Sequence, residues 1–234
     1  MRKAIEERYS VRTFSKTPLK AADVQYLEER VAAINEVSGL NARFLEDGSA
    51  AFSGFQSSYG MFRDVRSFIL LKGDPSVPDF REKAGYYGEE LVLDLIDRGL
   101  GTCWVGGTFD KSVLNIPDNE QFICLLVVGY PGKIALKDRV LLARLHERYK
   151  PISERLTSDR DVPAEIAAGM EAVRLAPSAV NTQTPHFDYK DGVLTASAPD
   201  DATFGLTDLG IAKCHFVQEA GGTFAFGNGS VWTK

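Results

Sequence analysis

Cysteine, histidine and long apolar runs are scarce in this chain, and each scarcity excludes a class of protein. The 234 residues contain three cysteines and three histidines, without the spacing of a disulfide framework or a metal site. No stretch reaches the roughly 18 consecutive apolar residues that a membrane helix requires. We therefore expect neither a disulfide-stabilised scaffold nor a membrane protein, and we predict no metal ligands.

Positive charge is also in short supply. The chain has 27 Lys and Arg against 32 Asp and Glu, which gives a net charge of −5, whereas general binding to nucleic acid depends on basic surface. The first ten residues, MRKAIEERYS, lack the apolar core of a secretion signal and are predicted to be helical. These features predict a cytoplasmic protein that binds neither nucleic acid nor membrane.

Helical and extended patterns alternate along the chain, with no low-complexity linker between them. Apolar residues at helical spacing predict helices over 21–37, 79–99, 164–176 and 206–222. Apolar runs predict strands over 42–47, 66–73, 102–107, 122–131 and 223–226, and a hairpin over 186–197. The segments 140–149 and 151–156 are predicted to be mostly helical, and 47–62 is predicted to be a loop.

Two pairs of glycines indicate places where the backbone comes close to something else. Gly85 and Gly88 are one turn apart in the predicted 79–99 helix and would allow another helix to approach closely. Gly106 and Gly107 follow a predicted strand, where glycine permits positive φ and close contact with a ligand. Two interpretations of this second pair stay open: a backbone N–H directed at a ring atom, or a plain turn.

Basic residues spaced by two are candidates for binding a phosphate. Arg8, Ser10 and Arg12 lie where a helix gives way to extended chain, so their side chains should share a face. Two guanidiniums and a hydroxyl suit a multi-acceptor anion. Arg148 and Lys150 form a second such pair. The alternative is a solvated charged segment in which Arg8 pairs with a glutamate.

The stretch RLAPSAVNTQTPHF, residues 174–187, reads as a helix end, a polar loop and a new strand. The amides of Asn181 and Gln183 can hydrogen-bond a planar heterocycle. A faint internal similarity accompanies it: 37–41 resembles 177–181, and 99–106 resembles 220–227, in the same order. We interpret this as a diverged duplication, with chance as the alternative for matches so short.

Taken together, five stretches resemble the nitroreductase-like flavoprotein family. They are IEERYSVRTF, GYYGEELVLDLIDRGLGTCWVGG, IPDNEQFICLLVVGYPGK, RYKPISERL and APSAVNTQTPHF. The resemblance implies an α+β nitroreductase-like fold, with mixed, mainly antiparallel sheets wrapped by helices. It implies FMN as the cofactor, held in the family at the interface of an intertwined homodimer.

Carried over to this sequence, the resemblance assigns cofactor-binding roles to three groups of residues. The FMN phosphate would be held by Arg8, Ser10 and Arg12, with charge added by Arg148 or Lys150. Against the ring would lie Val105, Gly106 and Gly107, with a backbone N–H near N5. From the other side, the flavin would be contacted by Pro177, Ser178, Ala179, Asn181 and Gln183.

The order of the motifs departs from the family pattern. In the family, the Pro-Ser-x-x-Asn-x-Gln loop follows the Arg-x-Ser-x-Arg motif soon after and reaches the partner's flavin. Here the early equivalent, VSGLNARF, lacks the proline and has Arg43 in place of the glutamine. Gln183 is followed by Thr-Pro-His where Pro-Trp is common. The resemblance therefore implies a single-chain subfamily in which two halves, 1–150 and 151–234, mimic the dimer.

The function implied by the resemblance is that of an FMN-dependent oxidoreductase. Electrons would pass from NAD(P)H through FMN to a small aromatic acceptor such as a nitro compound or a quinone. No side chain needs to act as a general acid or base, and none is assigned as catalytic. We expect a monomer, with a homodimer left open. The alternatives are an FMN-binding protein without turnover and a scaffold that has lost FMN.

Overall fold

The computed structural model describes residues 1–53, 61–133, 149–199 and 203–234. Its helices are α1 (Lys3–Glu7), α2 (Ala21–Ser38), α3 (Phe80–Asp97), α4 (Ala164–Arg174) and α5 (Gly205–Ala220). Its strands are β1 (Arg43–Leu45), β2 (Ser67–Gly73), β3 (Gly101–Val105), β4 (Gln121–Gly129), β5 (Leu156–Ser158), β6 (His186–Lys190), β7 (Val193–Ser197), β8 (Thr223–Phe224) and β9 (Ser230–Thr233). None of the helices in the described ranges is long and apolar enough to cross a lipid bilayer.

The chain divides into two compact units that are not continuous in sequence. Unit 1 contains residues 1–7, 81–90 and 137–234, and unit 2 contains residues 8–80 and 91–136. The predicted halves, 1–150 and 151–234, derive from the internal similarity of the sequence, whereas these units are defined by compactness. That boundary therefore stays a prediction.

Unit 2 is built on a four-stranded antiparallel sheet with the order β1-β2-β4-β3. All seven residues of β2 are buried, because both faces of this central strand are covered, as its uninterrupted apolar run predicts. One buried cluster joins the sheet to the segment before α2 through Val11 and Phe14, which pack with Phe68, Cys103 and Leu125. This packing fixes the N-terminal extended segment on the sheet that carries β3.

Unit 1 contains a mixed five-stranded sheet with the order β5-β6-β7-β9-β8, in which only β5 and β6 run parallel among the described pairings. Its core joins α4 and α5 to β6 and β7 around Phe187 and Phe216, whose rings stack with centroids 5.7 Å apart. The apolar residues whose spacing predicts α4 and α5 thus form the faces with which these helices pack on the sheet.

The segment 81–90 of α3 crosses α5 at backbone-to-backbone distance. A Cβ at Gly85 would lie 2.0 Å from the carbonyl oxygen of Thr207, and one at Gly210 would lie 2.0 Å from that of Glu82. The close approach predicted at Gly85 is therefore confirmed, and Gly210 supplies its counterpart on α5.

Most predicted elements are confirmed, and three differ. Residues 151–156 are not mostly helical: a 3₁₀ turn, Ile152–Glu154, leads into β5. The chain straightens there because the Arg155 carbonyl accepts the N–H of Phe187, which aligns β5 with β6. The strand predicted over 223–226 is confined to β8, and β9 was not predicted. The helix predicted over 140–149 lies almost wholly outside the described residues.

Candidate functional site

The Arg-x-Ser-x-Arg segment lies in extended chain against the edge of the unit 2 sheet. Ser10 forms a parallel bridge with Thr102 of β3, and the N–H of Val11 donates to the Thr102 carbonyl at 2.8 Å. On the other side, Arg12 and Arg63 are joined by a backbone hydrogen bond of 2.9 Å from the Arg63 N–H. Main-chain pairing on both sides therefore fixes the alternation of the side chains.

The three predicted phosphate ligands converge on one place in this segment. Burial raises the pKa of the Cys103 thiol, and three groups oppose that rise: the Arg12 charge, a hydrogen bond with Ser10 and the Arg8 charge. Arg8 is 8% exposed, although its guanidinium is charged. Two guanidiniums and a hydroxyl of this segment thus all act on a single buried sulfur. Their role toward a phosphate stays a prediction.

The glycine turn follows directly on β3. Val105 is buried in the unit 2 core, so only its main chain can face a ligand. A Cβ added at Gly107 would meet no heavy atom within 4 Å in the described structure. Neither Gly106 nor Gly107 has positive φ, so the left-handed conformation that glycine permits is not used here. What Gly107 provides is an uncovered backbone.

The strand β3 sets the distance between these two features. Thr102, which pairs with Ser10, precedes Gly106 by four residues, and a strand rises about 3.3 Å per residue, or about 13 Å in all. A ribityl phosphate chain with its attached ring can cover that span. The donor set at one end and the open backbone at the other therefore fit FMN.

The Pro-Ser-x-x-Asn-x-Gln loop belongs to unit 1 and is closed by its own polar groups. The Ser178 Oγ accepts the Gln183 N–H at 2.9 Å, and the Gln183 side-chain amide donates to the Asn181 Oδ1 at 3.2 Å. Gln183 is 3% exposed, and its Oε1 accepts the N–H of Lys150 at 2.9 Å. The amide of Gln183 thus maintains the shape of the loop. Contact of that amide with a flavin stays a prediction.

The second basic pair is only half described. Arg148 lies outside the described residues. The ammonium of Lys150 donates to the carbonyl of Thr182 at 2.9 Å, which ties Lys150 to the loop after Asn181. A contribution of this cation to phosphate binding stays a prediction.

The backbone of this loop has an unusual conformation. Val180, Asn181 and Gln183 have φ of 51°, 55° and 50°, in the left-handed region that is costly for a β-branched residue. Pro177, Ser178 and Ala179 are half-buried, whereas Val180 is 97% exposed. A strained and exposed apolar residue indicates that surrounding contacts impose the conformation.

Sequence reasoning missed Asp208, which is 4% exposed and lies in the first turn of α5. Both of its carboxylate oxygens accept the N–H of Ala179, at 3.0 and 3.1 Å. An aspartate in the first turn of a helix is ordinary in sequence. No local signal connects it to a loop 29 residues earlier.

The fold and the donor set define the class of this protein: an α+β protein of the nitroreductase-like fold, with mixed, mainly antiparallel sheets wrapped by helices. Comparison with known proteins agrees. The family model described as "Putative TM nitroreductase" matches residues 1–220. The chain belongs to that family.

A solved structure shares the fold over nearly the whole chain. A "putative nitroreductase" from Thermotoga maritima is 24% identical, with a TM-score of 0.65, and the match covers 98% of this chain and 90% of that one. A nitroreductase with bound FMN from Bacteroides fragilis is 16% identical, with a TM-score of 0.45, over 57% of this chain and 89% of that one. No curated protein matches the chain.

Proposed function

We propose that this chain is an FMN-dependent oxidoreductase that takes electrons from NAD(P)H and reduces a small aromatic acceptor, such as a nitro compound or a quinone. One observation carries the proposal. Ser10 is paired with Thr102 of β3, in a segment whose Arg8 and Arg12 both act on Cys103, and this pairing lies about one β3 length from the open backbone at Gly107, in a chain of a nitroreductase family.

The residues of unit 2 would bind and orient the cofactor. The guanidiniums of Arg8 and Arg12 and the hydroxyl of Ser10 would hold the phosphate through charge-assisted hydrogen bonds. Main-chain groups of Val105, Gly106 and Gly107 would lie against the ring. The redox chemistry would be that of the bound flavin, while the protein supplies orientation and electrostatics. We assign no side chain as a general acid or base.

We further propose that the other contacts to the flavin come from the same chain. They are those of Lys150 with Arg148, and those of the loop residues Pro177, Ser178, Ala179, Asn181 and Gln183. The internal similarity of 37–41 to 177–181 supports this pseudo-dimer. The protein would then be a monomer with one FMN per chain. The three cysteines are all buried thiols, which supports a cytoplasmic location.

A flavin titration followed by turnover tests the proposal. Purified protein should bind one FMN per chain as a monomer, and it should oxidise NADH or NADPH in the presence of menadione or a nitrofuran faster than free FMN does. Binding without turnover above the free-flavin rate would favour a storage or sensing protein, and no binding would indicate a scaffold that has lost FMN. Two flavins per chain, or an obligate dimer, would overturn the pseudo-dimer.

A further inference from the structure

We infer that Asp208 is a positioning residue, which holds the loop 177–183 in the conformation that presents its side chains to a ligand. The inference rests on the proposed function for the identity of that ligand, FMN. The hold itself is a property of the chain alone. Asp208 is the point at which the helix α5 contacts the main chain of this loop through a carboxylate.

The geometry of the contact shows how the side chain of Asp208 can hold the loop. The N–H of Ala179 is shared by both oxygens of Asp208, at 3.0 and 3.1 Å. Ala179 immediately precedes Val180 and Asn181, which have left-handed φ. A single hydrogen bond to a charged group is worth more than one to a neutral group. This contact thus lies directly before the most strained residues of the loop.

The position of Asp208 is itself fixed by packing. Thr207, the residue before it, lies where α5 crosses Gly85 of α3 without room for a Cβ. Arg155 faces Asp208 from the segment before β5, and its guanidinium donates to the carbonyl of Val173 at 2.7 Å. Packing therefore fixes the position of Asp208, and the loop adopts the conformation in which the Ala179 N–H reaches it.

The electrostatic surroundings of Asp208 make the contact sensitive to pH. Burial raises the pKa of Asp208 to about 7, opposed by the Ala179 N–H and by the Arg155 charge. The α3-facing side of α5 carries two further pairs, Lys213 with Glu82 and His215 with Glu89, so those charges have partners of their own. Asp208 would thus lose its proton near neutral pH, and the resulting carboxylate accepts the Ala179 N–H more strongly.

Asp208 changes the free energy of unfolding with pH in the opposite direction to an aspartate whose pKa is lowered on folding. Because the folded pKa of Asp208 is raised to about 7 from 3.8, the proton that Asp208 holds stabilises the folded state below neutral pH. That stabilisation is lost as the pH rises through about 7. As the pH rises through about 7, the contact between Asp208 and the loop therefore becomes stronger, while the buried negative charge makes the folded state less stable.

Amide measurements on the protein without flavin test the hold directly. In Asp208→Ala, hydrogen exchange at the Ala179 amide should be about tenfold faster or more, while exchange at the Phe216 amide in the core of α5 stays as in the wild type. In Asp208→Asn, which keeps an accepting oxygen, exchange should return close to the wild-type rate. The proton shift of the Ala179 amide should titrate with a midpoint near pH 7 in the wild type and not in Asp208→Asn.

The same variants test the consequence for ligand binding. FMN should bind Asp208→Ala about tenfold more weakly than the wild type, and Asp208→Asn nearly as tightly as the wild type. The control is Asp159→Asn, since Asp159 also accepts a backbone N–H, that of Asp191 at 3.1 Å, but at the β6–β7 turn. This control should change neither FMN affinity nor exchange at Ala179.

The outcomes separate this inference from the proposed function. If the wild type binds no FMN, the proposed function fails, and exchange at Ala179 still decides whether Asp208 holds the loop. Wild-type FMN affinity or wild-type exchange at Ala179 in Asp208→Ala overturns the inference. If Asp208→Ala does not fold, a titration of the Ala179 amide in Asp208→Asn that matches the wild type overturns it equally.

Discussion

The two segments that are predicted to bind one ligand, 8–14 and 177–183, are built by different physical means. The first is held by main-chain pairing, with Val11 hydrogen-bonded to Thr102 and Phe14 to Arg63, and none of its residues has positive φ. The second has three non-glycine residues with positive φ and is closed by side-chain hydrogen bonds. Sheet register positions a side chain through local alternation, whereas a strained loop needs partners from distant parts of the chain.

The helix crossing at Gly85 offers the largest effect, because it lies directly beside Asp208, which supports the second segment. In Gly85→Val, the new side chain would enter the space of the Thr207 carbonyl, 2.0 Å from its first carbon. Overpacking against a backbone atom should lower the free energy of unfolding by about 3 kcal/mol, measured by urea denaturation. The Ala179 amide should lose protection from exchange by a larger factor than the Val11 amide.

A second glycine serves as the control for this prediction. Gly107 has no heavy atom within 4 Å of an added Cβ and has no positive φ. Gly107→Ala should therefore not lower the free energy of unfolding, and it should raise it by at most about 1 kcal/mol. Wild-type stability in Gly85→Val would show that α5 can move away from α3, and the account of the loop as anchored by packing would be wrong.

Arg12→Ala sharpens the comparison from the side of the first segment. Main-chain pairing does not involve the guanidinium, so the fold should lose less than about 1 kcal/mol of stability. Loss of a charge-assisted phosphate bond should weaken FMN binding by about 1.5–3 kcal/mol, measured by titration of the flavin. Arg66→Ala is the control, because Arg66 is exposed and pairs only with Asp47 at 3.4 Å among the described ion pairs. Unchanged FMN affinity in Arg12→Ala would refute the phosphate assignment.

The same contrast explains how much could be predicted from the sequence. Alternation of Arg8, Ser10 and Arg12 and the run of β3 are local patterns, and the extended chain that they predict is present, paired with β3 through Ser10 and Thr102. The helices α2 to α5 follow equally from apolar spacing. Local signals work here because each element buries a face that its own sequence defines.

Other features depend on contacts that no window of sequence contains. Helix was predicted over 151–156, but the chain leaves a short turn there and enters β5, because the N–H of Phe187 donates to the carbonyl of Arg155 more than thirty residues earlier. The side-chain amide of Gln183 accepts the N–H of Lys150. The shape of the loop depends on the contact between Asp208 and Ala179. Val180 carries the strain although valine is a poor residue for positive φ, so tertiary contacts override its preference.

Val180→Gly gives the smallest effect and addresses the strain itself. Glycine removes the penalty of a left-handed φ, about 1–2 kcal/mol, and adds chain entropy to the unfolded state worth about 0.4–1 kcal/mol. Since Val180 is 97% exposed, it gives up no burial, and the free energy of unfolding should rise by about 0.5 kcal/mol. Thermal and urea denaturation at one pH measure the change.

Val193→Gly is the matched control for this last prediction. Val193 is also exposed, at 45%, but lies in β7 with ordinary strand φ, where glycine should cost about 0.5–1 kcal/mol. Opposite signs for the two valines would show that the loop conformation is imposed on Val180 by its neighbours. A loss of stability in Val180→Gly as large as that in Val193→Gly would mean that the backbone at Val180 is unstrained, and the contrast between the two ligand segments would reduce to their hydrogen-bond partners.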